Sequence, residues 1–209
     1  MDSRSRGLNI GFLASHRGSN MQAVVEAVER GVLPVKVAVL VCNNRNAEAV
    51  SRARQQGVPC EVLNATTHPE ADALDQAMLA ALQNHGCDVI VLAGFMKKIG
   101  PWVLGAYHGR IINIHPSLLP KHGGRGMYGR QVHEAVLAAR EPVTGVTIHL
   151  VNDEYDEGKI LAQCEVPVAS DDTVQTLAAR VLLREHAFLV ETLALIVAGK
   201  IRLSAERCR

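Results

Sequence analysis

Short apolar runs rich in β-branched residues alternate with longer amphipathic stretches along most of this chain, and few folds accept that rhythm. The runs at 8–14, 34–42, 58–64 and 87–94 have the length and composition of strands. Between them the periodicity predicts helices at 21–31, 47–57 and 69–86, each closing on a glycine, with Pro69 in the first turn of the third. Strands separated by helices pair in parallel, and a run as apolar as 87–94 suits a strand covered on both faces. Further strands are expected at 110–115, 144–152 and 158–168, the last two close enough in sequence to form an antiparallel pair. Helices at 129–140 and 174–198 complete the pattern, the second capped by Asp172 or Thr173. The fold class is therefore α/β: a doubly wound, mostly parallel, Rossmann-like sheet with an antiparallel strand pair late in the chain. With 209 residues, no internal repeat and no linker-like stretch, the chain reads as one domain over 1–209, with frayed tails at 1–7 and 204–209.

In such sheets ligands gather at the carboxyl edge of the strands, so the residues that follow each strand carry the functional reading. After the first strand comes SHRGSN at 15–20, opening a helix. A helix N-terminus presents unpaired N–H groups and the positive end of the dipole, which suits phosphate. Gly18 lets the backbone approach closely, Ser19 and Asn20 add side-chain donors and Arg17 adds charge. The stretch is neither of the glycine motifs for nucleoside triphosphates or dinucleotides, and a plain capping turn would read the same way. After the fourth strand, LAGFMKKIG at 92–100 carries Lys97 and Lys98, which serve an anionic ligand or a solvated loop equally well. The fifth strand ends in INIHPSLLP, where Pro116 stops the ladder. Asn113 and His115 are two residues apart on an extended chain and so project to the same side. An imidazole works as acid or base near neutral pH, and an amide can donate to a developing oxyanion.

The stretch 149–159 supplies His149 and the acids Asp153, Glu154, Asp156 and Glu157. An acid beside His115 would stabilise its imidazolium and raise its pKa. Residue patterns do not choose among the four, and a polar hairpin turn with its corner at Gly158 is the plainer reading. Nine histidines and five cysteines show no zinc-like spacing, so no metal site is expected. Unpaired cysteines without a C-x-x-C, polar residues at the start and no long apolar run point to a reduced cytoplasmic protein with no membrane association. Aromatic residues at 3% and a net charge of +1 argue against nucleic-acid binding.

Taken together, GSN in the first turn, VLAGFMKKI, INIHPSLLP and DEYDEGKILAQ resemble the folate-dependent formyltransferases over about residues 8–203. The resemblance is closest to the branch that serves de novo purine synthesis, with the turn GSNMQAV separating it from the tRNA-formylating branch. It implies transfer of the formyl group of 10-formyltetrahydrofolate, a consumed cosubstrate, to the primary amine of glycinamide ribonucleotide, without a metal. It further implies that Asn113, His115 and Asp156 are catalytic, and it is this resemblance that selects Asp156. By the same route Arg17, Gly18, Ser19 and Asn20 would hold the substrate phosphate and Glu185 the ribose hydroxyls. The folate would lie against Phe95, Met96, Lys97, Lys98 and Ile99, against Asn113, and against Val151, Asn152, Asp153, Glu154, Tyr155 and Asp156. Its partners would be these two small molecules, with the protein a monomer or a homodimer. Two departures stand out. His16 occupies a place where such enzymes usually have glycine, and the loop KHGGRGMYGR at 121–130 is longer than in many relatives. A formyltetrahydrofolate hydrolase, a nicotinamide-type oxidoreductase and a non-catalytic phosphosugar-binding protein are the alternatives.

Overall fold

The computed structural model describes residues 7–203; apart from Gly7, the tails expected at 1–7 and 204–209 lie outside the described residues. Seven strands, β1 (Leu8–Ala14), β2 (Val35–Cys42), β3 (Cys60–Val62), β4 (Val89–Leu92), β5 (Ile111–His115), β6 (Val143–Leu150) and β7 (Ile160–Pro167), form one sheet. Their order is β3-β2-β1-β4-β5-β6-β7. The first five strands are mutually parallel. β6 then runs antiparallel to both β5 and β7. The expected antiparallel pair is thus a three-stranded margin, and Pro167 is tolerated there because β7 is an edge.

Alternation along the strands feeds two cores. Ile10, Phe12, Ala14, Val91, Ile112 and Ile114 face α1 (Ser19–Glu29), α2 (Glu48–Gln55), α5 (Arg130–Ala138) and α6 (Val174–Val197). Leu13, Ile90, Leu92 and Ile111 face α3 (Ala71–Asn84) and α4 (Pro101–Ala106). Asn113 and His115 share the parity of Ile111, so the fold itself turns them toward the second face.

Three local readings need correction. Pro69 precedes the α3 N-cap Glu70 and does not sit in the first turn. β3 spans only three residues. The short helix α4 was not anticipated. Its first turn is secured from another helix, Asp75 of α3 accepting the Trp102 N–H at 2.7 Å. A six-residue helix capped from a distance leaves almost no periodic signal. At α6 the cap is Thr173, in a reciprocal capping box with Thr176, while Asp172 takes both guanidinium nitrogens of Arg180 at 2.7 Å.

Candidate active site

The strand order reverses between β1 and β4, and the loops leaving these two strands are stitched together there. The Ser15 N–H donates to the Gly94 carbonyl at 3.1 Å, and the Met96 N–H donates to Ser15 Oγ at 2.9 Å. A cleft at this reversal is where an open α/β sheet binds ligands. A cavity of about 1040 Å³ opens there, lined by every residue to which the resemblance assigns a role; of the four acids, Glu157 alone is not in its wall.

On one side the cavity meets the start of α1. Gly18 is its N-cap at φ 69°, with no side chain capping the helix and no acid in the first turn, so its first N–H groups and dipole face the cavity uncompensated. A side chain at 18 is excluded twice: by the left-handed φ, and by Ala49, whose Cβ would lie 2.7 Å from the new atom. Among the described residues, positive φ outside glycine occurs only at His122, Arg140 and Asp156. His16 therefore replaces a glycine without backbone strain. Arg17 is exposed and pairs with no carboxylate among the described residues. Below this cradle Glu185 of α6 is buried, with Asn20 donating to its Oε2 at 3.4 Å. Burial pushes the Glu185 carboxyl up to about 7, against the opposing effect of Asn20.

On the other side, Phe95 to Ile99 form a wall after β4. Ile99 is buried in the core, whereas Met96, Lys97 and Lys98 are exposed. The β6–β7 connection, 151–159, packs Val151 into the same core and brings Asn152 to Asp156 across the cavity. Its tight return depends on Gly158, where a Cβ would overlap the Leu150 carbonyl.

Between these walls stand Asn113, His115 and Asp156. The His115 Nε2 meets the His122 carbonyl at 2.9 Å, and its Nδ1 lies 3.5 Å from Asp156 Oδ2. The same Oδ2 accepts the Gly124 N–H at 2.9 Å. Asn113 Nδ2 reaches Asp156 Oδ1 at 3.4 Å and His149 Nε2 at 3.1 Å. Asp156 is held at φ 58°, a conformation that Asp and Asn tolerate better than other side chains. Burial raises its carboxyl, but the His149 side chain, the His115 charge and the Gly124 N–H together outweigh burial and leave it below the ordinary carboxylate range. It is an anion at neutral pH. The expectation that an acid would lift the His115 pKa is corrected here. Burial pushes the imidazole down, and the upward pull of Asp156 and the His122 carbonyl does not overcome it.

One member of this cluster escaped the selection of site residues. His149 lies opposite Asn113 in the β5–β6 ladder. Its Nδ1 meets the Leu150 carbonyl at 2.9 Å and so carries a proton, while Nε2 lies 3.1 Å from the Asn113 amide nitrogen and 3.5 Å from Asp156 Oδ1. Only the antiparallel register brings the two together. Ser15 and Gly124, which tie the loops to the site, likewise act through contacts distant in sequence.

The formyl transferase family matches residues 8–193. The chain is 38% identical over 198 residues, 94% of its own length and 68% of the relative's, to a protein of Arabidopsis thaliana named phosphoribosylglycinamide formyltransferase, chloroplastic. It is 33% identical over 196 residues, 94% of its own length and 90% of the relative's, to the phosphoribosylglycinamide formyltransferase of Escherichia coli K12. The crystal structure of glycinamide ribonucleotide transformylase 1 from Symbiobacterium toebii is similar at a TM-score of 0.89 and 34% identity, over 98% of this chain and 94% of that one. With a family match that spans the sheet and every candidate residue of the cavity, this chain belongs to the formyl transferase family.

Proposed function

We propose that this protein transfers the formyl group of 10-formyltetrahydrofolate to the primary amine of 5-phosphoribosylglycinamide, yielding the formylated ribonucleotide and tetrahydrofolate in de novo purine synthesis. The observation that carries the reading is the union, in one cavity, of an uncompensated helix N-terminus with an Asn–His–Asp cluster. The first suits a phosphate and the second suits acyl transfer. In this assignment Gly18, Ser19 and Asn20, with Arg17 nearby, hold the phosphate, and Glu185 meets the ribose hydroxyls. The folate lies along Phe95 to Ile99 and Val151 to Asp156.

The amine nitrogen forms a bond to the formyl carbon, and the bond from that carbon to the folate N10 breaks. Charge that gathers on the formyl oxygen in between is met by an Asn113 N–H and by His115 once its Nδ1, which faces Asp156, has taken up a proton. Asp156, ionised and next to both, takes the proton released by the amine and passes it toward N10, directly or through water. His115 Nδ1 and Asp156 Oδ2 face each other at 3.5 Å, so a proton gained by either is felt by the other. Loss of one oxyanion donor typically lowers turnover by roughly 10²–10³. The reading involves small molecules alone, with neither nucleic acid nor membrane nor metal, in a cytoplasmic protein working as a monomer or homodimer through one domain.

The test is tetrahydrofolate release from 10-formyltetrahydrofolate with and without glycinamide ribonucleotide, with the formylated product measured by mass. Release that depends on the ribonucleotide and matches product one to one is expected. Release at the same rate in its absence would make the protein a hydrolase, and no release at all would end the assignment.

A further inference from the structure

One imidazole in the cavity has no part in the chemistry above. His133, on α5, is only 5% exposed, and its Nδ1 is sealed from solvent with no hydrogen-bond partner among the described residues. Its Nε2 makes no hydrogen bond among those residues either, yet it is not closed off as Nδ1 is, and His133 lines the cavity together with Ala178 and Glu185 of α6. The neighbouring apolar positions of α5, Val132 and Val136, are fully buried. A leucine at 133 would fill such a place without leaving polar atoms unpaired, and an unpaired buried polar group costs roughly 1–3 kcal/mol. The imidazole therefore makes physical sense when its one open edge meets something in the cavity.

Which form it offers follows from its surroundings. Burial disfavours the charged ring, and the nearby His115 opposes a second charge. A neutral imidazole has one N–H, and an orphaned N–H in a dry pocket is rarer than an orphaned acceptor. The proton therefore sits on Nε2, and the ring presents a neutral donor to the cavity.

We propose that His133 is a binding residue for the ribonucleotide, its Nε2–H donating to the carbonyl oxygen of the glycinamide. This inference rests on the function proposed above. Glu185, on the adjoining wall, takes the ribose and Asp156 attends the reacting amine. The amide carbonyl is the acceptor that lies between ribose and amine in that substrate. A neutral donor suits it better than a cation, which would repel the ammonium form of the same substrate's terminus.

The experiment uses the whole chain and glycinamide ribonucleotide itself, alongside an analogue in which the amide carbonyl is reduced to methylene. In His133→Leu the Kd for the ribonucleotide should rise about tenfold, as loss of one hydrogen bond implies. The loss should appear in KM for the ribonucleotide and leave KM for the folate unmoved. His133→Gln, which carries an amide N–H to a similar reach, should recover much of the affinity and guards against a fold defect in the leucine variant. The reduced analogue should bind wild type and His133→Leu equally. In the wild type, ¹⁵N shifts of the His133 ring should report the Nε2–H tautomer and move when the ribonucleotide alone is added. If wild type forms product and His133→Leu binds the ribonucleotide as tightly, this inference falls while the proposed function stands. If wild type neither binds nor formylates the ribonucleotide, both fall.

Discussion

A carboxyl held near neutrality beneath the anion cradle makes Glu185 a titrating part of the fold as well as of the site. Its ordinary pKa is 4.5 and burial lifts it to about 7. The folded chain therefore keeps a proton that the unfolded chain has released across that interval. The more protonated state is disfavoured as pH rises, so stability falls from about pH 4.5 to about pH 7, by on the order of 3 kcal/mol at 1.36 kcal/mol per unit. Urea denaturation at intervals across this range should show the decline in wild type and a flatter profile in Glu185→Gln. An equal decline in both would place the titrating group elsewhere. Asp156 is the opposite case, an anion surrounded by donors. Asp156→Asn keeps the shape and tolerates the φ of 58°, so it should fold normally while losing turnover by roughly 10²–10³. His115→Ala combined with Asp156→Asn should be little worse than His115→Ala alone, because the two act on one proton. Additive losses in steady-state turnover would separate their roles.

Among the elements, the segment between β5 and α5 does the most to close the cavity. The Gly124 N–H binds Asp156 and the His122 carbonyl binds His115, so this loop is fastened to both side chains of the proposed catalytic pair. Arg125, beside Gly124, is exposed and lines the cavity. Trypsin should cut there in the free protein and be slowed when the ribonucleotide and a folate analogue are bound together. Deleting 124–126 should raise folate hydrolysis relative to formyl transfer by admitting water. At the other rim, Thr173→Ala removes a capping box and should lower stability by about 1 kcal/mol, read as a shift in denaturation midpoint. These elements also mark what the residues alone disclosed. The strand exits carrying Gly18, Phe95 and Asn113 were legible because alternation and turn chemistry act over a few neighbours. The choice of Asp156 over Asp153 or Glu154 rested on resemblance, since no local rule tells which acid a nine-residue connection turns inward. His149 needed the β5–β6 register, α4 needed a cap from Asp75, and the sign of the His115 shift needed burial. Each depends on contacts made only after the chain has folded.

On the scale of the whole molecule, the cavity is assembled from segments spread between His16 and Glu185, and the sheet order sets when they meet. β1 is an interior strand, between β2 and β4, and the first of the described strands to leave the ribosome. One of its faces, Ile10, Phe12 and Ala14, belongs to the core that also holds Leu177, Val181, Phe188 and Leu189 of α6, and α6 is the last element of the described fold. During synthesis that core stays incomplete while five further helices and six further strands emerge. A nascent chain stalled before α6 should bind a hydrophobic dye strongly and neither substrate, and release through α6 should reverse both properties. A chain stalled before α6 that already binds the ribonucleotide would contradict this order. Because Glu185 arrives on that last helix, the step that completes this core is also the step that completes the proposed ribonucleotide site. A chain still in need of a chaperone is thus not yet able to take up its substrate.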